Sequence, residues 1–131
     1  MKFKVFIFSL MSACFLTMQA KAEVIERTIE ELKAESQLRA NRGAYPMGGI
    51  NPEDAKEALS LINTRDRDEW ANGWSKVAQK YLNEAAKATD PTQAGAAYKK
   101  AWRLFYMAQW PVPNSKGKQE AYDNAIKAFA A

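Results

Sequence analysis

Past its first two dozen residues, the chain places apolar side chains at intervals of three and four and shows no convincing run of period two, so its predicted elements are helices. The most regular covers about Asp66 to Ala88. Trp70, Trp74, Val77, Tyr81 and Ala85 are spaced four, three, four and four apart, which at 100° per residue puts them on one helical face. A following segment to about Gln109 puts Ala94, Ala97, Tyr98, Ala101, Phe105 and Ala108 on one face, with Lys99, Lys100 and Arg103 on a solvated face opposite. A short helix from Asn51 to about Asn63 buries Ala55, Ala58, Leu59 and Ile62, and a last one, about Ser115 to Ala130, offers Tyr122, Ala125, Ile126 and Phe129. An earlier segment, Glu23 to Asn41, has only a thin stripe of Ile25, Ile29 and Leu32. Its acids come first and its bases last, in accord with the helix dipole.

The punctuation between these segments is strong. Asn51-Pro52-Glu53-Asp54 supplies an N-cap, a proline at the first helical position and acids in the first turn. Asp90-Pro91 repeats the first two of these signals, and Trp110-Pro111-Val112-Pro113 ends the fourth segment because proline cannot continue a helix. Arg42 to Ile50, with three glycines and a proline, is a loop. Short turns between long helices predict antiparallel neighbours. The expected class is all-α: a small bundle of about four to five helices arranged as antiparallel hairpins. Gly95 and Tyr98 match the spacing of a tetratricopeptide unit, but Pro91 and Met107 break its register, so a true repeat is not expected.

The first residues follow a different plan. Lys2 and Lys4 precede fourteen uncharged residues, Val5 to Met18, and Ala20-Lys21-Ala22 offers small residues where a signal peptidase reads. The expectation is a signal peptide over residues 1–22, cleaved before Glu23, and an exported product, periplasmic or extracellular. A span needs about 20 apolar residues, so no stable membrane anchor is expected. Met11-Ser12-Ala13-Cys14 loosely resembles a lipoprotein box, which leaves lipidation at Cys14 as a second reading. The expected organisation is thus the leader, an N-terminal helix and Gly/Pro loop over 23–50, and a helical domain over 51–131.

Composition changes this picture in two ways. The leader takes three of the 19 basic residues with it, leaving 16 against 15 acids. A near-neutral, charge-mixed chain has no electrostatic footprint for nucleic acid. There is also no histidine anywhere, and the single cysteine, Cys14, lies in the leader. Ser-His-Asp and Cys-His catalysis and His/Cys zinc sites therefore have no residues to build on. Asp66-Arg67-Asp68-Glu69 lacks the turn glycine of a calcium loop and reads as a dipole-matched helix start. Gly48-Gly49 precedes Glu53 and Asp54, which would repel an anion at the following helix N-terminus. No metal and no cofactor are expected. What remains is an unusual load of aromatics, with Trp70, Trp74, Tyr98, Trp102, Tyr106 and Trp110 the candidates for core, substrate or docking contacts.

The order of features from Glu69 onward is more specific. Glu69-Trp70, Trp74 and Ala78 open one helix. Gly95-Ala96-Ala97-Tyr98-Lys99-Lys100-Ala101 opens the next, which closes with Phe105-Tyr106-Met107-Ala108-Gln109-Trp110-Pro111. Pro113-Asn114-Ser115-Lys116-Gly117-Lys118-Gln119-Glu120-Ala121-Tyr122 leads into the last helix. This string resembles the helical N-terminal cap region of an alpha/beta-hydrolase family that includes fermentation–respiration switch esterases and dihydroxypseudooxynicotine hydrolase. The resemblance, from roughly Gly48 onward, implies a cap packed over the active site of a catalytic domain. That family's nucleophile, acid and histidine lie downstream of the cap, so no catalytic residue carries over and the chain alone is expected to be inactive. The final Ala128-Phe129-Ala130-Ala131, with no closing Gly, Asn or cation, fits a chain cut short. The resemblance implies a hydrolase domain as partner and self-association through exposed apolar surface. The alternative is a stand-alone helical binding or adaptor protein of the cell envelope.

Overall fold

A computed structural model describes residues 25–131. The expected leader, Cys14 and the cleavage positions Ala20, Ala22 and Glu23 lie outside the described residues. Those residues form five helices and no strand: α1 (Ile29–Arg42), α2 (Pro52–Ser60), α3 (Arg67–Lys87), α4 (Pro91–Gln109) and α5 (Lys116–Ala130). The class is all-α, as the periodicity predicts. No helix among the described residues is long and apolar enough to cross a membrane.

Each start is fixed by a side chain that satisfies an otherwise unpaired backbone N–H. Asn51, Asp66, Asp90 and Ser115 are the N-caps of α2 to α5. The first helix begins later than its charge pattern suggests. Thr28 Oγ1 accepts from the Glu31 N–H at 3.2 Å, and the Glu31 carboxylate accepts from the Thr28 N–H at 2.9 Å. This reciprocal capping box sets the start of α1 at Ile29 and leaves Ile25 outside the helix, 87% exposed. At the other end Gly43, at φ +60°, lets its own N–H and that of Ala44 reach back to Ala40 and Arg39.

Successive helices run antiparallel, as the paired positions show. Lys33 reaches Ile62 O while Gln37 reaches Pro52 O, so α1 and α2 oppose each other. Tyr81 meets Asp54 and Gly73 meets Ile62 across α2 and α3. The Trp70 indole N–H donates to Met107 O at 2.9 Å, and Lys100 lies over the Tyr81 ring, so α3 and α4 form a hairpin. Lys118 meets Trp110 and Phe129 meets Trp102 between α4 and α5. The core joins Trp74, Val77, Ile62, Leu104, Phe105 and Met107 with many buried alanines. Ala40, Met47 and Ile50 belong to the same cluster, so the core runs through the α1–α2 loop without a break.

Two faces differ from the sequence pattern. The last helix turns Ala121, Ala125 and Ala128 inward and leaves Tyr122, Ile126 and Phe129 46%, 53% and 70% exposed. At the start of the same helix the approach to α3 is close: a Cβ on Gly117 would lie 2.9 Å from Asp68 Oδ1 and 3.4 Å from the Ala71 Cβ. Arg103, expected in solvent, is half-buried on α4. Its guanidinium stacks 4.5 Å from the Trp102 ring centroid and presses on Gly49, whose φ of +80° keeps the loop there.

Candidate functional site

Where the α1 flank, the α1–α2 loop and the start of α3 face the end of α4, the helices leave a cleft of about 530 Å³. Its floor is apolar: Ile29 and Leu32 from α1, Met47 from the loop, Trp70 from α3, and Met107 and Trp110 from α4 and its end. The volume falls within the usual range for small-molecule pockets, about 300–1,000 Å³. Trp70 is held in place by its bond to Met107 O. Trp110 is braced edge-on by Tyr45, with centroids 5.3 Å apart, and by Tyr106 at 5.9 Å. The peptide bonds Tyr45-Pro46 and Trp110-Pro111 at the cleft are both cis.

The edge of the cleft is cationic. Arg27, Arg39, Arg65 and Arg67 line it against Glu35 and Asp66, and Lys118 lies deeper. Three of the cations are engaged within the described residues. Arg27 and Arg39 share Glu35, Arg39 also donates to Tyr45 O at 2.7 Å, and Arg65 pairs with Glu26 at 2.7 Å. Asp66 is occupied as the N-cap of α3. Arg67 has no ion-pair partner among the described residues. Lys118 is 6% exposed and donates to Trp110 O at 2.6 Å, again with no carboxylate in ion-pair range among those residues. Burial, and then the neighbouring Arg67, push its pKa down, against an upward pull from Asp68.

The acids expected to make a simple helix start have more specific work. Asp68 accepts from the Gly117 N–H at 2.8 Å, tying the start of α5 to that of α3. A bond from the Ser115 side chain, and then this one, hold its carboxyl below the ordinary range. Glu69 accepts from the backbone N–H groups of Asn63 and Thr64 and from the Thr64 hydroxyl, closing the α2–α3 turn, and these bonds lower its pKa. Among the described residues, no group of three or more His, Cys, Asp or Glu is placed to hold a metal ion.

The six candidate aromatics therefore divide. Trp70 and Trp110 line the cleft, and Tyr106 supports it through Trp110. Trp74 lies in the core, fully buried, with an indole N–H that has no partner among the described residues. Tyr98 and Trp102 do not reach the cleft, and Trp102 instead packs on Phe129 at 5.3 Å. The sequence reading missed Arg67 and Lys118. The available signal was basic residues at or next to helix starts, where the dipole disfavours them.

No protein-family model matches the sequence, no curated protein shows significant similarity to it, and no solved structure matches its fold significantly.

Proposed function

We propose that this chain is the exported, non-catalytic cap of an esterase-like alpha/beta-hydrolase, a binding layer that covers the active site of a partner catalytic domain. One observation carries the reading: the cleft offers aromatic walls and cations but no histidine or cysteine, since the chain has no histidine and its single cysteine, Cys14, falls in the expected leader. Such a site recognises without reacting. In the parent enzyme it would exclude water and shape substrate choice while the catalytic domain supplies the chemistry. The exposed Tyr122, Ile126 and Phe129, spaced four and three apart on α5, give the cap an apolar face to set against that domain. Without the domain, the same face drives self-association.

A stand-alone envelope binding protein is the second reading, favoured by the apolar and cationic lining this chain gives the cleft. The genomic sequence after codon 131 separates the two. The cap reading expects an open frame that continues into a Gly-x-Ser-x-Gly elbow, then Asp and His. A stop codon followed closely by a terminator overturns it in favour of the second. The purified chain should leave p-nitrophenyl esters unhydrolysed, and turnover that survives repurification would overturn both.

A further inference from the structure

The cleft brings together two features that a plain apolar groove lacks. Helices α3 and α5 start side by side there, joined by the bond from the Gly117 N–H to Asp68, so two positive dipole ends converge. At that point Arg67, the first residue of α3, and Lys118, in the acid-free first turn of α5, stand beside Asp66, Asp68 and Glu69, each of which already accepts backbone hydrogen bonds. Lys118 is more than nine-tenths buried, and its ammonium, which has three donors, has a single partner, Trp110 O. A buried charge is retained at a cost unless it is paired. The carboxylates nearby are committed elsewhere: Asp68 to Gly117 and Ser115, Asp66 to its cap, Glu35 to Arg27 and Arg39. Lys118 therefore lines the cleft with no carboxylate in ion-pair range among the described residues.

We infer that the cleft is a binding site for a small amphiphilic organic anion, an aromatic carboxylate. Its carboxylate meets Lys118 and Arg67 and its apolar body lies against Trp70, Met47 and Trp110. The size of the cleft argues against a bare inorganic anion, which would leave the apolar floor wet. The charge argues against a neutral apolar ligand, which would leave the Lys118 ammonium with a carbonyl partner but no counter-ion. The inference goes beyond the cap reading and does not need it, because every residue invoked belongs to this chain.

The test is calorimetric titration of the purified chain with 2-naphthoate, with its uncharged counterpart 2-naphthylmethanol, and with inorganic phosphate. Naphthoate should bind at least about tenfold more tightly than the alcohol, as a charge-assisted hydrogen bond to a buried cation warrants. Phosphate should not compete at equal concentration. Lys118→Met should erase that preference while leaving the affinity for the alcohol unchanged. Arg67→Gln, at an exposed position where folding is not at stake, should reduce naphthoate affinity several-fold and keeps the idea testable if Lys118→Met fails to fold. Equal binding of naphthoate and alcohol, no naphthoate binding at millimolar concentration, full competition by phosphate, or an Arg67→Gln chain indistinguishable from the parent would each overturn the inference. None of these outcomes depends on the downstream reading frame, so failure here and failure of the cap reading are separate results.

Discussion

Replacing Gly73 by alanine sets two effects against each other at a single methyl group. In a helix interior alanine is favoured over glycine by about 1 kcal/mol. Gly73, however, lies where α3 crosses α2. A Cβ there would stand 2.7 Å from Ile62 Cγ1, 2.9 Å from the backbone oxygen of Ala58 and 3.1 Å from Ile62 Cδ1. Ile62 is fully buried and β-branched, so its side chain cannot swing clear, and the carbonyl moves only if α2 moves. Overpacking of this kind costs about 1–3 kcal/mol, and a clash with backbone belongs at the upper end. The net expectation for Gly73→Ala is a loss of about 1–2 kcal/mol, or a melting temperature lower by roughly 5–10 °C for a domain of this size. Gly95→Ala is the internal control. It lies in α4 with nothing within 4 Å of its missing Cβ, so the same change should stabilise by about 0.5–1 kcal/mol. Urea unfolding followed by far-ultraviolet circular dichroism measures both. A Gly73→Ala chain as stable as the parent, or shifted in the same direction as Gly95→Ala, would refute the described crossing of α2 and α3.

Other expectations follow from single contacts. Tyr81→Phe removes the 2.7 Å bond from the phenol to Asp54 Oδ2 and should cost about 1 kcal/mol in the same unfolding assay. Burial, and then Asp54, raise the Tyr81 pKa. Folding stability should therefore hold below pH 10 and decline above it, where the unfolded chain releases that proton first, and Tyr81→Phe should flatten this decline. Glu69 behaves in the opposite sense. Its pKa is lowered by the Thr64 and Asn63 bonds, so its contribution is present above the ordinary carboxylate value and is lost as pH falls through the folded one. Glu69→Gln should lower stability near neutrality and flatten the acid limb of a melting-temperature profile. Finally, sedimentation of the parent chain should show concentration-dependent association that the double substitution Ile126→Glu, Phe129→Glu abolishes, and a parent that remains monomeric would remove the support that the α5 stripe lends to the cap reading.

Most of the fold was legible because its starts are written in local chemistry. Asn51-Pro52 and Asp90-Pro91 cap and open α2 and α4 where the sequence places them, and the Trp70–Trp74–Val77 spacing fixes the inner face of α3. Thr28 and Glu31 carry an equally readable capping box, which the wider charge gradient from Glu23 obscured. The inner face of α5 was not legible, since periodicity weighs side chains by size and a close helix contact selects the smallest. The cleft was half legible. Trp70 and Trp110 stand out as large aromatics, whereas a lysine is read as solvated until tertiary packing buries it, and nothing local in Ser115-Lys116-Gly117-Lys118 announces the Trp110 carbonyl.

The alanine side of α5 reverses the usual map of which positions tolerate change. Tyr122, Ile126 and Phe129, the conspicuous residues, should tolerate polar replacements better, since within this chain each is at least about half exposed, although Phe129 gives up its contact with Trp102. Ala121, Ala125 and Ala128 have less freedom, because they are buried and larger side chains there would overpack the core. In a saturation library selected for folding alone, the informative columns would be those three alanines. Selection for partner binding would bring the three large residues back, so the two libraries together would separate what holds the bundle from what it presents.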